Sequence, residues 1–145
     1  MFENILIPTD GSELAEKAAA YGVALAKKLG AKVTVVTVTT PWQSMTIGDV
    51  SVIKDPDEYE RHATAEADTH LHVVAKRATE ENVACDVLHV RNALPWHGII
   101  ETAELKGCDM IVMASHGRRG LSAMLLGSET QKVLRQSHVP VLIYR

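Results

Sequence analysis

The chain has little of what several classes of protein require. Its 145 residues include only two cysteines, Cys85 and Cys108, which is too few for a disulfide framework. Both lie beside predicted strands, where a free cysteine behaves as a small hydrophobe, so we expect both to be reduced and structural. The formal charge of −3 gives no general attraction to nucleic acid or anionic lipid. No apolar run approaches the roughly 20 residues that span a bilayer.

The sequence also shows no recognisable targeting, linker or repeat segment. Residues 1–4 lead directly into an apolar run with no visible signal peptide, and we therefore expect a cytoplasmic protein. No domain linker, internal repeat or low-complexity tract interrupts the chain. The length suits one domain with a core of its own, so we expect residues 1–145 to form a single domain.

Common catalytic and cofactor motifs are missing as well. There is no Gly-x-x-x-x-Gly-Lys-Ser/Thr loop, and so no evident lysine for the outer phosphates of a nucleotide. No Gly-x-Gly-x-x-Gly follows the first predicted strand, and no Gly-x-Ser-x-Gly elbow supports a hydrolase triad. Ser115 and His116 are adjacent, and adjacent side chains at a strand end usually point apart. The sequence favours holding a ligand over turning it over, with a slow ATPase as the weaker alternative.

Several histidines invite a test for a metal site. His62, Glu66 and His70 recur every four residues, so they would share one helix face, with His72 nearby. A metal site can be built in this way, but one helix face offers few ligands. A solvated polar face is therefore the favoured interpretation, and we predict no metal site.

What the sequence does contain is a fivefold alternation of strand and helix patterns. Continuous apolar or β-branched runs predict five strands, at 5–7, 32–38, 84–90, 109–113 and 139–145. The segments between them predict four helices, at about 12–29, 55–81, 96–105 and 128–137, which are long enough for crossover connections between parallel strands. This alternation predicts an α/β fold with a parallel sheet covered by helices on both faces.

The helices carry predicted start and stop signals. Asp10 or Ser12 would cap the first helix, and Gly30 would end it in a left-handed conformation. Ser128 with Gln131 has the spacing of a capping box for the last helix. In the first helix, an apolar stripe is predicted from Leu14, Ala18, Tyr21, Leu25 and Leu29. The connection at 39–55 is long for a compact domain, so it is either a functional flap or partly mobile.

The most informative stretch runs from Met113 to Ser128. Small residues stand at 114, 117, 120 and 127, between a predicted strand and a predicted helix. Such a loop delivers backbone amides to a helix amino terminus, which is the common way to hold a phosphate. Alternatively, the glycines only make turns and Ser128 only caps its helix. If the strand order is 3-2-1-4-5, the loops after strands one and four face the same crevice.

With these residues in view, the chain resembles a nucleotide-binding universal stress protein over its whole length, from 5–10 to 140–143. The nucleotide loop of that family reads Gly, two residues, Gly, nine residues, then Gly-Ser or Gly-Thr. Here Ala114, Gly117 and Gly127-Ser128 keep that spacing, and alanine replaces the first glycine. If the position needs positive φ or the closest approach of the backbone to the ligand, the methyl group of alanine weakens binding. If the position needs only a small residue, alanine is compatible with binding.

The resemblance implies a fold, a ligand and an assembly. The fold would be a Rossmann-like domain of the adenine nucleotide alpha hydrolase type, with a five-stranded parallel sheet in the order 3-2-1-4-5. The function would be a stress-response regulatory protein that binds ATP or AMP, with or without Mg²⁺. Dimers through the last strand are expected, and the apolar end of that strand supports pairing independently. A nucleotide-free interaction module of the same family is the alternative.

The resemblance also implies roles for individual residues. Asp10 would meet the ribose, Val38 and Pro8 would line the adenine pocket, and Met113 and Ala114 would approach from the other side. Gly117, Gly127 and Ser128 would hold the phosphates. On chemical grounds we add Arg118, which could pair with a phosphate, and His116, while Glu129 would repel anions. The complete predicted binding set is Pro8, Thr9, Asp10, Val38, Met113, Ala114, His116, Gly117, Arg118, Gly127, Ser128 and Glu129.

Overall fold

Strands and helices alternate along the chain as the sequence predicts. The structure is a computed structural model, and it describes residues 1–45, 55–118 and 125–145. The described elements are β1 (Asn4–Pro8), α1 (Glu13–Leu29), β2 (Lys32–Thr39), a 3₁₀ turn (Trp42–Ser44), α2 (Pro56–Glu80), β3 (Cys85–Arg91), α3 (Pro95–Leu105), β4 (Met110–Ala114), α4 (Ser128–Gln136) and β5 (Val141–Tyr144). Within these ranges no helix is both long enough and apolar enough to cross a membrane.

The five described strands form one parallel sheet in the order β3-β2-β1-β4-β5. The predicted fold class and strand order are thereby confirmed. Ile5 lies opposite Met110 and Leu6 opposite Ile111, so β1 and β4 are direct neighbours. Because all strands run the same way, the loops that follow β1 and β4 leave the sheet at one edge.

Both faces of the sheet are covered, and the central strand shows why. Ile5, Leu6 and Ile7 are completely buried, and successive strand side chains point to opposite faces. Ile5 and Ile7 pack with α1 and α2 residues such as Val23 and Val74. Leu6 packs on the other face with Ile99 of α3 and Val133 of α4. Complete burial of each such side chain stabilises the fold by roughly 1.5–3 kcal/mol.

Helix α1 begins and ends as predicted, but part of its predicted buried stripe is wrong. The Ser12 hydroxyl accepts the Ala15 N–H at 3.3 Å, and Gly30 ends the helix with φ of 67°. Tyr21 and Leu29 are each 45% exposed. The buried face is instead made of small residues: Ala15, Ala18, Ala19, Gly22, Val23 and Ala26. Small side chains let α1 lie close to the sheet, since a Cβ on Gly22 would come within 2.7 Å of Ile7 Cδ1.

The predicted capping box at Ser128 is wrong. Helix α4 starts at Ser128 itself, and Gly127 occupies the N-cap position with no side-chain cap bond. The Gly127 N–H donates to the Ser115 carbonyl at 2.7 Å, which fixes Gly127 in extended backbone before the helix. The Gln131 side chain donates to the Leu126 carbonyl at 2.8 Å, before the helix, and so does not form the box.

Both cysteines are free thiols, as predicted. Burial raises the pKa of the Cys85 thiol to about 11 and raises the pKa of the Cys108 thiol as well. Both are therefore protonated near neutral pH, which makes them poor nucleophiles. This agrees with their interpretation as small structural hydrophobes.

The predicted 39–55 connection starts with an ordered segment. The Tyr59 hydroxyl donates to the Thr40 carbonyl at 2.7 Å, and the Trp42 N–H donates to Glu60 Oε1 at 3.1 Å. The Trp42 and Tyr59 rings lie 5.5 Å apart, centroid to centroid. This part of the connection is thus held by the start of α2, while residues 46–54 lie outside the described residues.

Candidate functional site

A cleft of about 540 Å³ opens at the carboxyl edge of the sheet, between the ends of β1 and β4. It lies where the chain leaves the two central strands toward opposite sides, which is where ligands bind in open α/β sheets. All the predicted binding residues line this cleft: Pro8, Thr9, Asp10, Val38, Met113, Ala114, His116, Gly117, Arg118, Gly127, Ser128 and Glu129. The structure brings them together, and the role of each in binding stays a prediction.

The cleft has further lining residues that the sequence reasoning missed. They are Ala15, Val36, Thr40, Pro95, Ile99 and Thr130. Val36 could have been found, because it lies two positions before Val38 on the same face of β2. Pro95 and Ile99 reach the cleft because α3 packs beside α4, and that arrangement has no local signal in the sequence.

One wall of the cleft is apolar. Val36, Ile99 and Met113 belong to one buried cluster, and Val38 packs against it. The other lining residues bring two carboxylates, hydroxyl groups and the start of α4. An apolar wall with a few polar groups suits a ligand that joins a flat hydrophobic part to a polar or charged part.

Asp10 connects the two loops that form the cleft. Its Oδ1 accepts the Ser12 N–H at 2.9 Å, and its Oδ2 accepts the Arg118 N–H at 3.0 Å. Burial alone would raise the pKa of Asp10, but hydrogen bonds from Ser12 and Arg118, with the Arg118 charge, outweigh it and hold the pKa below its usual range. The side chain is therefore an ionised acceptor in a fixed position.

Gly117 and Gly127 allow close approach within the protein itself. A Cβ on Gly117 would collide with Asp10 Oδ2. A Cβ on Gly127 would lie 3.2 Å from His116 Cα and 3.4 Å from the Ser115 carbonyl oxygen. Neither glycine is required by its backbone conformation. Among the described glycines, positive φ occurs at Gly11, Gly30 and Gly107 and not at these two positions. Gly120 lies outside the described residues.

Ala114 fits its position without strain. It is the last residue of β4, it does not have positive φ, and it is 7% exposed. It packs with Ala15 and Ala18 of α1, and its carbonyl accepts the Thr130 hydroxyl at 3.1 Å. The position therefore needs a small residue and has no conformational need for glycine.

The start of α4 faces the cleft. Gly127, Ser128, Glu129 and Thr130 all line it, and the N-cap residue Gly127 has no side chain to cap the helix. First-turn amides that lack an intrahelical partner carry a partial positive charge, so such a helix start suits an anion.

The Glu129 side chain contacts the start of α3. Its Oε2 accepts the Trp96 N–H at 2.8 Å, at the start of α3. Its Oε1 lies 3.7 Å from Lys132 Nζ. A carboxylate thus lies near the predicted phosphate position, where it would repel an anion.

The Arg118 side chain pairs with α2. One guanidinium nitrogen lies 2.9 Å from Glu66 Oε1, and another lies 3.0 Å from His70 Nε2. Because arginine only donates, His70 Nε2 accepts this hydrogen bond. The predicted polar helix face therefore carries ion pairs, and residues 1–45, 55–118 and 125–145 contain no group of three or more potential metal ligands.

Ser115 and His116 do not point apart, contrary to prediction. Ser115 Oγ lies 3.2 Å from His116 Nδ1, because the chain turns immediately after β4. Ser115 is only 2% exposed and does not line the cleft, whereas His116 does. The pair therefore orients the imidazole and presents no serine nucleophile to the cleft.

The sheet order and the cleft at its switch point define a Rossmann-like α/β protein. The universal stress protein family model matches residues 1–145, and the chain belongs to this family. Universal stress protein YxiE of Bacillus subtilis is 32% identical over 149 aligned positions, which cover all of both chains. Universal stress protein MJ0577 of Methanocaldococcus jannaschii is 30% identical over 157 positions, covering all of this chain and 96% of that protein.

Solved structures share the fold. The structure of MJ0577 superimposes with a TM-score of 0.83 at 29% identity, covering 99% of this chain and 96% of the other. A universal stress protein from Archaeoglobus fulgidus, solved in complex with dAMP, has a TM-score of 0.71 at 17% identity, covering 100% and 98%. The second likeness concerns the fold alone.

Proposed function

We propose that this universal stress protein is a stress-response regulator that binds an adenine nucleotide, ATP or AMP, between the loops after β1 and β4. The observation that carries the proposal is one cleft that combines an apolar wall with a helix start whose N-cap residue, Gly127, makes no side-chain cap bond. The fold relative solved with dAMP supports this ligand class. A cytoplasmic location is part of the proposal.

The cleft offers a suitable partner for each part of the ligand. The base would lie against Val38 and Met113, and the ribose hydroxyls would donate to the ionised Asp10. The phosphate would accept hydrogen bonds from the amides and the Ser128 hydroxyl at the start of α4. If ATP is the ligand, Mg²⁺ would be bound together with it, coordinated by the phosphates, as is usual for this ion in proteins.

A nucleotide-free interaction module is the second candidate, and two observations favour it. Glu129 lines the cleft next to Ser128, where the phosphate is proposed to lie, and contacts within the protein already explain Gly117 and Gly127. In this case the cleft would bind no nucleotide, and the protein would act through contacts with other proteins.

We also propose a homodimer through β5. Among the described strands, β5 pairs only with β4, and each of its four residues is partly exposed. An apolar edge strand invites pairing with a second copy of itself. Light scattering should then give about twice the chain mass of 15.8 kDa.

Ligand-induced stabilisation separates the two candidate functions. A ligand that binds only the folded state raises its stability once its concentration exceeds the dissociation constant. AMP, ATP or both should therefore raise the melting temperature, and cytidine nucleotides should not. No shift with either adenine nucleotide, and none recovered from the supernatant of heat-denatured purified protein, would favour the nucleotide-free module.

A further inference from the structure

We propose that Glu129 makes the cleft discriminate by charge, favouring an adenine nucleoside or nucleoside monophosphate over a triphosphate. The inference rests on the proposed function and narrows its ligand class. It depends on the charges of the cleft, the fixed position of the carboxylate and the charge differences among the candidate ligands.

The described lining of the cleft is short of free positive charge. Asp10 and Glu129 contribute two carboxylates. Arg118 is the only arginine or lysine among the lining residues that the structure describes, and Glu66 holds its guanidinium at 2.9 Å. Among the lining residues that the structure describes, a polyphosphate would therefore meet more negative than unpaired positive charge.

The Glu129 carboxylate is held in place by the fold. The Trp96 N–H donates to it at 2.8 Å, so it occupies the amino-terminal end of α3. As the second residue of α4, it also stands in the first turn of that helix. A carboxylate at a helix amino terminus offsets the partial positive charge that would otherwise attract a ligand anion.

Lys132 offsets this charge only in part. Its Nζ lies 3.7 Å from Glu129 Oε1, and the two side chains are 42% and 39% exposed. Water and salt weaken an ion pair of this kind, so Lys132 does not cancel the Glu129 charge.

The ligands differ mainly in charge. Adenosine is neutral, the phosphate of AMP carries about −2, and ATP carries more. Base and ribose contacts are common to all three, whereas repulsion by a fixed carboxylate grows with ligand charge. Such a repulsive element gives specificity by penalising the wrong ligand.

The test compares the affinities of adenosine, AMP and ATP for the wild-type protein and for Glu129→Gln, by titration calorimetry without Mg²⁺. Glutamine keeps an acceptor for the Trp96 N–H and removes the charge. We expect wild type to bind ATP no more tightly than AMP. In Glu129→Gln, ATP affinity should rise about tenfold, AMP affinity less, and adenosine affinity less than twofold.

The control is Glu104→Gln, which makes the same charge change at an exposed position of α3 that does not line the cleft. It should leave all three affinities unchanged. The ATP gain of Glu129→Gln should shrink in high salt.

Two outcomes overturn the inference in different ways. If wild type binds ATP at least tenfold more tightly than AMP, or if Glu129→Gln leaves the ATP-to-adenosine affinity ratio unchanged, the charge discrimination is wrong while nucleotide binding stands. If neither folded protein binds adenosine, AMP or ATP, the proposed function is wrong and the inference falls with it.

Discussion

At the scale of single residues, the glycines of the loop after β4 serve the protein's own packing. Gly117 leaves room for Asp10, whose carboxylate accepts the Arg118 N–H at 3.0 Å. The family spacing of these glycines is thus compatible with a structural role as well as with ligand binding. The two roles can be separated, because the obstacle at Gly117 is one identified side chain.

We expect Gly117→Ala to lower the free energy of unfolding by about 1–3 kcal/mol, the usual cost of overpacking. The new Cβ would collide with Asp10 Oδ2 and break its bond to the loop. Urea denaturation gives the value. In an Asp10→Ala background the same change should cost almost nothing, since Gly117 does not have positive φ. An equal cost in both backgrounds would show that Asp10 is not the obstacle.

The sequence was sufficient to place every predicted binding residue on one cleft, but not to give their partners. Arg118 and Glu66 are 52 positions apart, and Glu129 and Trp96 are 33 apart. Each pair depends on how a loop or a helix end docks in three dimensions. Local spacing carries no information on such contacts.

At the scale of elements, the starts of α1 and α4 show that moving a serine by one position relative to the helix start decides whether it caps the helix. From the sequence alone, both Ser12 and Ser128 are candidate N-cap residues. The Ser12 hydroxyl accepts the Ala15 N–H, whereas Ser128 is already the first helical residue after Gly127. The loop bond from the Gly127 N–H to the Ser115 carbonyl decides this, and it is not visible in the sequence.

We therefore expect Ser12→Ala and Ser128→Ala to differ in stability. Loss of the Ser12 cap should cost about 1 kcal/mol, while Ser128→Ala should cost less than half of that. The two matched substitutions can be compared by urea denaturation at neutral pH. Equal costs would mean that Ser128 also acts as a cap.

The pairing of β2 with β3 has a pH-sensitive side chain. His89 Nε2 lies 2.7 Å from the Thr39 hydroxyl oxygen. Burial, assisted by the charge of Arg91, lowers the pKa of His89 despite the opposing effect of Asp68 and Glu60. The folded state thus prefers the neutral ring, and below the unfolded pKa of about 6.5 the unfolded state binds the proton more readily.

This difference predicts a loss of stability on acidification. The His89 contribution should fall as the pH drops through about 6.5 and should level off below the folded pKa. The free energy of unfolding should therefore decrease less between about pH 7.5 and 5.5 in His89→Gln, which can keep the hydrogen bond to Thr39, than in wild type. Parallel curves for the two proteins would contradict the shift.

At the scale of the whole molecule, the fold followed from the alternation of strand and helix patterns. Parallel strands joined by right-handed crossovers leave few possible orders, and 3-2-1-4-5 brings the loops after β1 and β4 together. What the alternation does not contain is the packing of α3 beside α4, which supplies Pro95 and Ile99 to the cleft. It also does not reveal that α2 holds both Thr40 and Arg118 at the rim.

The described lining of the cleft combines residues from three loops, three helices and an apolar patch of the sheet. The account requires a phosphate at the start of α4. Ser128→Asp tests this requirement without weakening the helix, because an acid in the first turn is favourable there. Thr79→Asp is the matched control, with the same charge change on an exposed part of α2 near its carboxyl end.

The most direct measurement is the shift in melting temperature with AMP, for wild type, Ser128→Asp and Thr79→Asp. We expect AMP to stabilise wild type and Thr79→Asp alike, and Ser128→Asp to need at least about tenfold more AMP for the same shift. Adenosine, which has no phosphate, should stabilise all three proteins to a similar extent. No shift in wild type, or the same AMP response in Ser128→Asp, would contradict nucleotide binding at the start of α4.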